Sequence, residues 1–131
     1  MKGLSVLAAA ALSLVIPSAV AQAAVTEDNF LLRNAGDLVA LCSAPQSDPL
    51  YTAAINFCQG FGLGAFRVLQ EEEPARRPPH MFCLPAQLPT RNEALASYVQ
   101  WVNADPSRSP LAAADSIAGY LAQTYPCPRG K

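Results

Sequence analysis

The sequence predicts an all-α fold: a small bundle of about four helices cross-linked by two disulfides, behind a cleaved signal peptide. Three observations lead there. Four segments place apolar residues at helical spacing, none sustains the period-two alternation of a half-buried strand, and all four cysteines follow an export-type leader.

The leader comes first. Met1-Lys2 is a short positive start, no charge occurs from Gly3 to Val25, and Leu4 to Ile16 is continuously apolar or small. Pro17 interrupts the run, and Ala19-Val20-Ala21 and Ala21-Gln22-Ala23 both fit a small-x-small cleavage site. This is the layout of a secretory signal, with an apolar core too short to span a bilayer comfortably. Cleavage is expected near residues 21–24, giving a signal at 1–23, a single domain at 24–131 and a periplasmic location. The mature form is not expected to hold a membrane.

The first helix is expected to start at Thr26, with Glu27 and Asp28 in its first turn, where the helix dipole favours acids. Leu31, Ala35, Leu38, Val39 and Cys42 fall on one face, and Pro45 ends the segment. Asp48-Pro49 opens the second helix as cap and first helical residue. Tyr51, Ile55, Cys58, Gly62, Phe66 and Leu69 form its stripe. Gly60, Gly62 and Gly64 weaken it, and close approach of another backbone to the Gly60/Gly64 face would account for them.

Between Glu71 and Pro89 five prolines exclude a helix and predict a long loop carrying Glu71-Glu72-Glu73 and Arg76-Arg77. Thr90 and Glu93 form a capping box for the third helix, whose stripe is Leu95, Tyr98, Val99 and Val102 and which Asp105-Pro106 closes. Ser109-Pro110 starts the fourth, with Ala114, Ile117, Ala118, Leu121 and Tyr125 facing inward and Pro126 as its stop.

Composition narrows the function. The formal charge is −1, and −2 once Lys2 is removed, too weak to imply a nucleic-acid partner. Neither a metal nor a cofactor is expected: there is one histidine, His80, and no Cys-x-x-Cys pair. Gly60-Phe61-Gly62-Leu63-Gly64-Ala65 matches a dinucleotide fingerprint, but it lies inside a helical segment rather than between strand and helix. His80 stands three residues before Cys83, yet paired cysteines leave no thiol to activate. The three consecutive glutamates read as a solvated helix end, and Trp101 as a residue at the edge of the core.

Cys42, Cys58, Cys83 and Cys127 allow three pairings. If the long loop folds back along the second helix, Cys83 passes Cys58, and the first and fourth helices end at one pole. That path favours Cys58 with Cys83 and Cys42 with Cys127.

The cysteine neighbourhoods carry a resemblance. Leu41-Cys42 ends a helix, Cys58-Gln59-Gly60-Phe61 lies within the next, and Phe82-Cys83-Leu84-Pro85 follows in a loop. Then come an Asn103-to-Pro106 break, an alanine-rich helix and Tyr125-Pro126-Cys127. Over Asp37 to Cys127 this resembles the Rap/Tai family of type VI secretion immunity proteins. The resemblance implies a periplasmic, helical, non-enzymatic protein, a homodimer in many relatives, whose partner is a peptidoglycan amidase effector. An HdeA-like acid-stress chaperone is the competing reading; it calls for clustered carboxylates, and the acids here are scattered. The Glu71–His80 stretch is longer and richer in proline than the family pattern. Its Arg76, Arg77 and His80, with Trp101, are the candidate partner-binding residues.

Overall fold

The computed structural model describes residues 23–128, so the signal segment lies outside the described residues apart from its last position. Among the described residues there are four α-helices: α1 (Ala35–Cys42), α2 (Tyr51–Glu72), α3 (Arg91–Asn103) and α4 (Ala113–Thr124). No strand occurs among the described residues. The short α1 touches all three other helices. Its Leu38 joins Tyr98, Val102, Ile117, Tyr120 and Leu121 of α3 and α4 in one apolar cluster. Its Leu41 joins Val25, Ala44, Ala54 and Cys58 in a second. Tyr98 and Ser116 share a 2.6 Å hydrogen bond between α3 and α4, and the Ser116 hydroxyl also lies 2.7 Å from the Ala113 carbonyl oxygen. No polar atom of that pair is stranded by its burial.

The expected first helix is divided in two. Thr26 opens a 3-10 turn over Glu27–Leu31, its amide donating to Asn29 Oδ1 at 2.9 Å. Leu32 then takes the left-handed conformation (φ 51°), and Asn34 starts α1 by accepting from the Asp37 amide at 3.0 Å. Asn and Asp side chains compete with helix for backbone donors. Here Asp37 also accepts from the Arg33 amide and from Asn29 Nδ2, both at 3.0 Å. Leu31 is therefore 62% exposed rather than part of the inward face.

Two other starts move downstream. Asp48 does not cap α2. Its carboxylate accepts from the Leu50 and Val25 amides, both at 2.8 Å, and α2 opens at Tyr51. Ser109-Pro110 does not open α4. The carbonyls of Ser109 and Leu111 accept from the first amides of α1, Gly36 and Ala35, and α4 begins at Ala113, leaving Ala114 exposed. Cap-then-proline geometry forms instead at Asp105-Pro106, where Asp105 accepts from the Ser107 amide over the turn Pro106–Arg108. The Thr90–Glu93 capping box of α3 forms as expected.

The disulfide pairing is corrected: Cys42 is joined to Cys58 and Cys83 to Cys127, with Cα separations of 5.2 and 4.8 Å. A short connection returns α2 alongside α1, bringing Cys42 to the first half of α2. The long loop does return along α2, its Leu84 and Leu88 lining one groove with Leu63 and Phe66, but only after Cys83. It turns at the C-terminal end of that helix, and the Cys83 amide then donates to the Tyr125 carbonyl at 2.8 Å, setting Cys83 beside the tail.

The glycine reading is corrected as well. Among the described residues nothing lies within 4 Å of where a Cβ would stand at Gly60 or Gly64, and only the Leu95 side chain approaches Gly62, at 3.0 Å. Alanine in a helix interior is favoured over glycine by about 1 kcal/mol. The Gly60→Ala/Gly64→Ala double variant is accordingly expected to raise the melting temperature by roughly 5–10 °C. Thermal denaturation followed by circular dichroism checks this; a drop would mean that something packs on that face in solution.

Candidate functional site

Glu73 organises the proline-rich loop. The residue is buried, and both carboxylate oxygens accept from the Met81 amide, at 3.1 and 3.2 Å. Arg76 Nε lies 3.6 Å from one oxygen and His80 Nδ1 3.3 Å from the other. One side chain thus closes an eight-residue turn that the prolines stiffen. Arg76 and His80 are brought together there, each still exposed to solvent, while Arg77 is exposed with no ion pair among the described residues. Three consecutive glutamates predict three solvated acids, and Glu73 departs from that pattern by its burial. Its role depends on the Met81 amide, which the local pattern does not reveal.

Trp101 is separate from this cluster. It is half-buried on α3, with the Arg108 guanidinium 4.2 Å above its ring centre and Nε1 donating to Gln123 Oε1 at 3.0 Å. Its ring packs against Tyr98 and Tyr120, so it stands at the edge of the core. No hydrogen bond or ion pair connects it to the Glu73 turn among the described residues.

A third feature has no signature in the linear sequence. Downstream of Cys83 the loop passes over α2 and α3, leaving a half-open apolar groove of about 200 Å3. Leu63 and Phe66 of α2, Leu88 of the loop, Leu95 of α3 and Tyr125 line it, with Arg91 at its edge. Leu63 and Leu88 are 43% and 47% exposed. Burial pushes the Tyr98 phenol up despite its bond to Ser116, and burial followed by the nearby Tyr120 does the same to Tyr125. The phenols of Tyr98 and Tyr125 therefore stay neutral near pH 7. The Tyr120 hydroxyl is buried and, although Tyr125 is close, makes no hydrogen bond of normal geometry.

Chemically, these features suit binding. All four cysteines are in disulfides, and no group of three His, Cys, Asp or Glu side chains gathers among the described residues. No helix among them is long and apolar enough to cross a membrane.

A family model described as Rap1a immunity proteins matches residues 34–127, from the cap of α1 to the last cysteine. The chain belongs to the Rap1a immunity protein family. Membership points to an immunity protein of type VI secretion, whose partner is a protein effector; such proteins are typically not enzymes and are often periplasmic. No curated protein and no solved structure matches. Within this Rap1a chain, the matched span contains both disulfides, the Glu73 turn and the groove.

Proposed function

We propose that this chain is a periplasmic immunity protein that binds and silences a type VI secretion effector of the peptidoglycan amidase class. The observation that carries the reading is the family match over residues 34–127, which takes in α1 to α4 and both disulfides. Two disulfides in a small domain suit an oxidising compartment, and the leader-like N-terminal segment suits export to it. The direct test is to produce the amidase-like effector of the same cell in the periplasm, with and without this protein. Protection that depends on the leader supports the proposal; lysis regardless of the protein overturns it.

The Glu73–His80 turn is the surface we assign first to that partner. Its backbone is already restrained by proline and by Glu73, so less entropy is lost on binding, and arginine can meet a carboxylate with two parallel hydrogen bonds. Trp101, half-buried beneath Arg108, is the second candidate patch. Arg76→Ala/Arg77→Ala is expected to leave the melting temperature nearly unchanged, since Arg77 makes no ion pair among the described residues and Glu73 keeps the Met81 amide and His80 when Arg76 is removed. It is expected to weaken effector binding about tenfold, or about 1.4 kcal/mol, as read by calorimetry. Unaltered affinity would remove the turn from the interface.

A further inference from the structure

We propose that the groove between α2, α3 and the Cys83–Pro89 segment seats one apolar anchor side chain of the protein effector, with a carboxylate beside that anchor meeting Arg91. The proposal rests on reading the chain as an effector-binding protein.

Size selects this occupant. The groove holds about 200 Å3. An apolar cavity of about 150 Å3 accepts a benzene ring, whereas sites for whole drug-sized ligands run to about 300–1,000 Å3. There is room for one ring or branched side chain, and a long acyl chain would overfill it. The mouth points the same way. Leu63 and Leu88 stand about half-exposed there, large apolar groups that a docked residue would cover. Hot spots at protein interfaces are pockets of this kind, filled by a single anchor and ringed by neutral contacts.

Charge then specifies the anchor's neighbour. Arg91 makes no ion pair among the described residues and is the first residue of α3, where helix amides add partial positive charge. Nearby Glu93 does not neutralise it by an ion pair; its carboxylate is held by the Thr90 amide and hydroxyl, which keeps it below the usual carboxylate range. An apolar residue next to an acid is the complement of such a rim. The walls are preformed, because Cys83 is pinned to Cys127, which limits the ordering cost of binding.

The test titrates the 15N-labelled protein with N-acetyl-Phe-Asp-amide, N-acetyl-Gly-Asp-amide and dodecanoate, following backbone amides by NMR. The Phe-Asp peptide is expected to shift Leu63, Leu88, Arg91 and Leu95 with roughly millimolar affinity, and the Gly-Asp peptide to leave them in place. Leu88→Glu, at an exposed position that does not hold the fold, is expected to weaken the Phe-Asp peptide about tenfold or more by placing an acid against its carboxylate. Groove amides unmoved at about 10 mM peptide would overturn the proposal. So would dodecanoate binding there more tightly than the peptide, which would make the groove an amphiphile site. With effector in hand, Leu88→Glu is expected to lose capture about tenfold. If the unaltered protein captures no effector, the functional reading fails while the peptide result stands separately.

Discussion

Replacing Cys83 and Cys127 with alanine is expected to destabilise the protein by about 4 kcal/mol. Loop-closure entropy sets the figure. The bridge spans 44 residues, and on the chain-entropy model a loop of that length contributes about 4 kcal/mol, against about 3 for the 16-residue loop of Cys42–Cys58. Small domains have only about 5–15 kcal/mol in total, so the loss leaves little margin. In a domain of this size it corresponds to a fall in melting temperature on the order of 15–25 °C, measurable by calorimetry on the oxidised variant. The two bridges also differ in access: Cys83 is exposed, whereas Cys58 is 1% exposed between α1 and α2. Mild reductant is expected to open Cys83–Cys127 first. Because Leu84 and Leu88, both of which line the groove, lie in the segment that Cys83 anchors, that reduction should loosen the groove while α1 stays clipped to α2. A fall below about 5 °C in the double variant would show that the Cys83–Tyr125 hydrogen bond and packing hold the tail by themselves.

What the sequence revealed and what it hid divide by distance along the chain. The Thr90–Glu93 box is legible because its partners sit three residues apart. The helical content follows from stripes such as Leu95, Tyr98 and Val102. Asp48 misleads because its carboxylate serves the Val25 amide, 23 residues away, and so the local cap signal is spent elsewhere. Ser109-Pro110 fails for the same reason, its carbonyl being taken by Gly36 of α1. The disulfide partners depend on the path of the long loop. That path is set where Glu73 takes the Met81 amide and where Cys83 meets Tyr125, neither of which leaves a periodic trace. At the candidate site, Arg76, Arg77 and His80 were legible as a charged, proline-stiffened stretch. The groove was not, since Leu63 and Leu88 line it from 25 positions apart with nothing local to distinguish them from core leucines.

Leu38→Ala is the second large loss expected. Leu38 is wholly buried where α1 meets the other three helices, directly beneath the groove. Leucine-to-alanine changes in cores cost about 2.7–5 kcal/mol, and the spread reflects how far the surroundings close over the gap. Two restraints limit closure here. Cys42, one turn further along α1, is bonded to Cys58 on α2, and the α1 amides are fixed to the Ser109–Leu111 turn. The helix cannot easily slide inward, so the cost is expected near about 4 kcal/mol by urea denaturation. Leu63→Ala, half-exposed at the groove mouth, should cost less than about 1 kcal/mol. The void left by Leu38→Ala also lies under the groove floor, so this variant is expected to accept N-acetyl-Trp-Asp-amide in preference to the Phe-Asp peptide, reversing the order of the unaltered protein. A loss below about 2 kcal/mol with that order unchanged would mean that α1 does move in, against the restraint of both its ends.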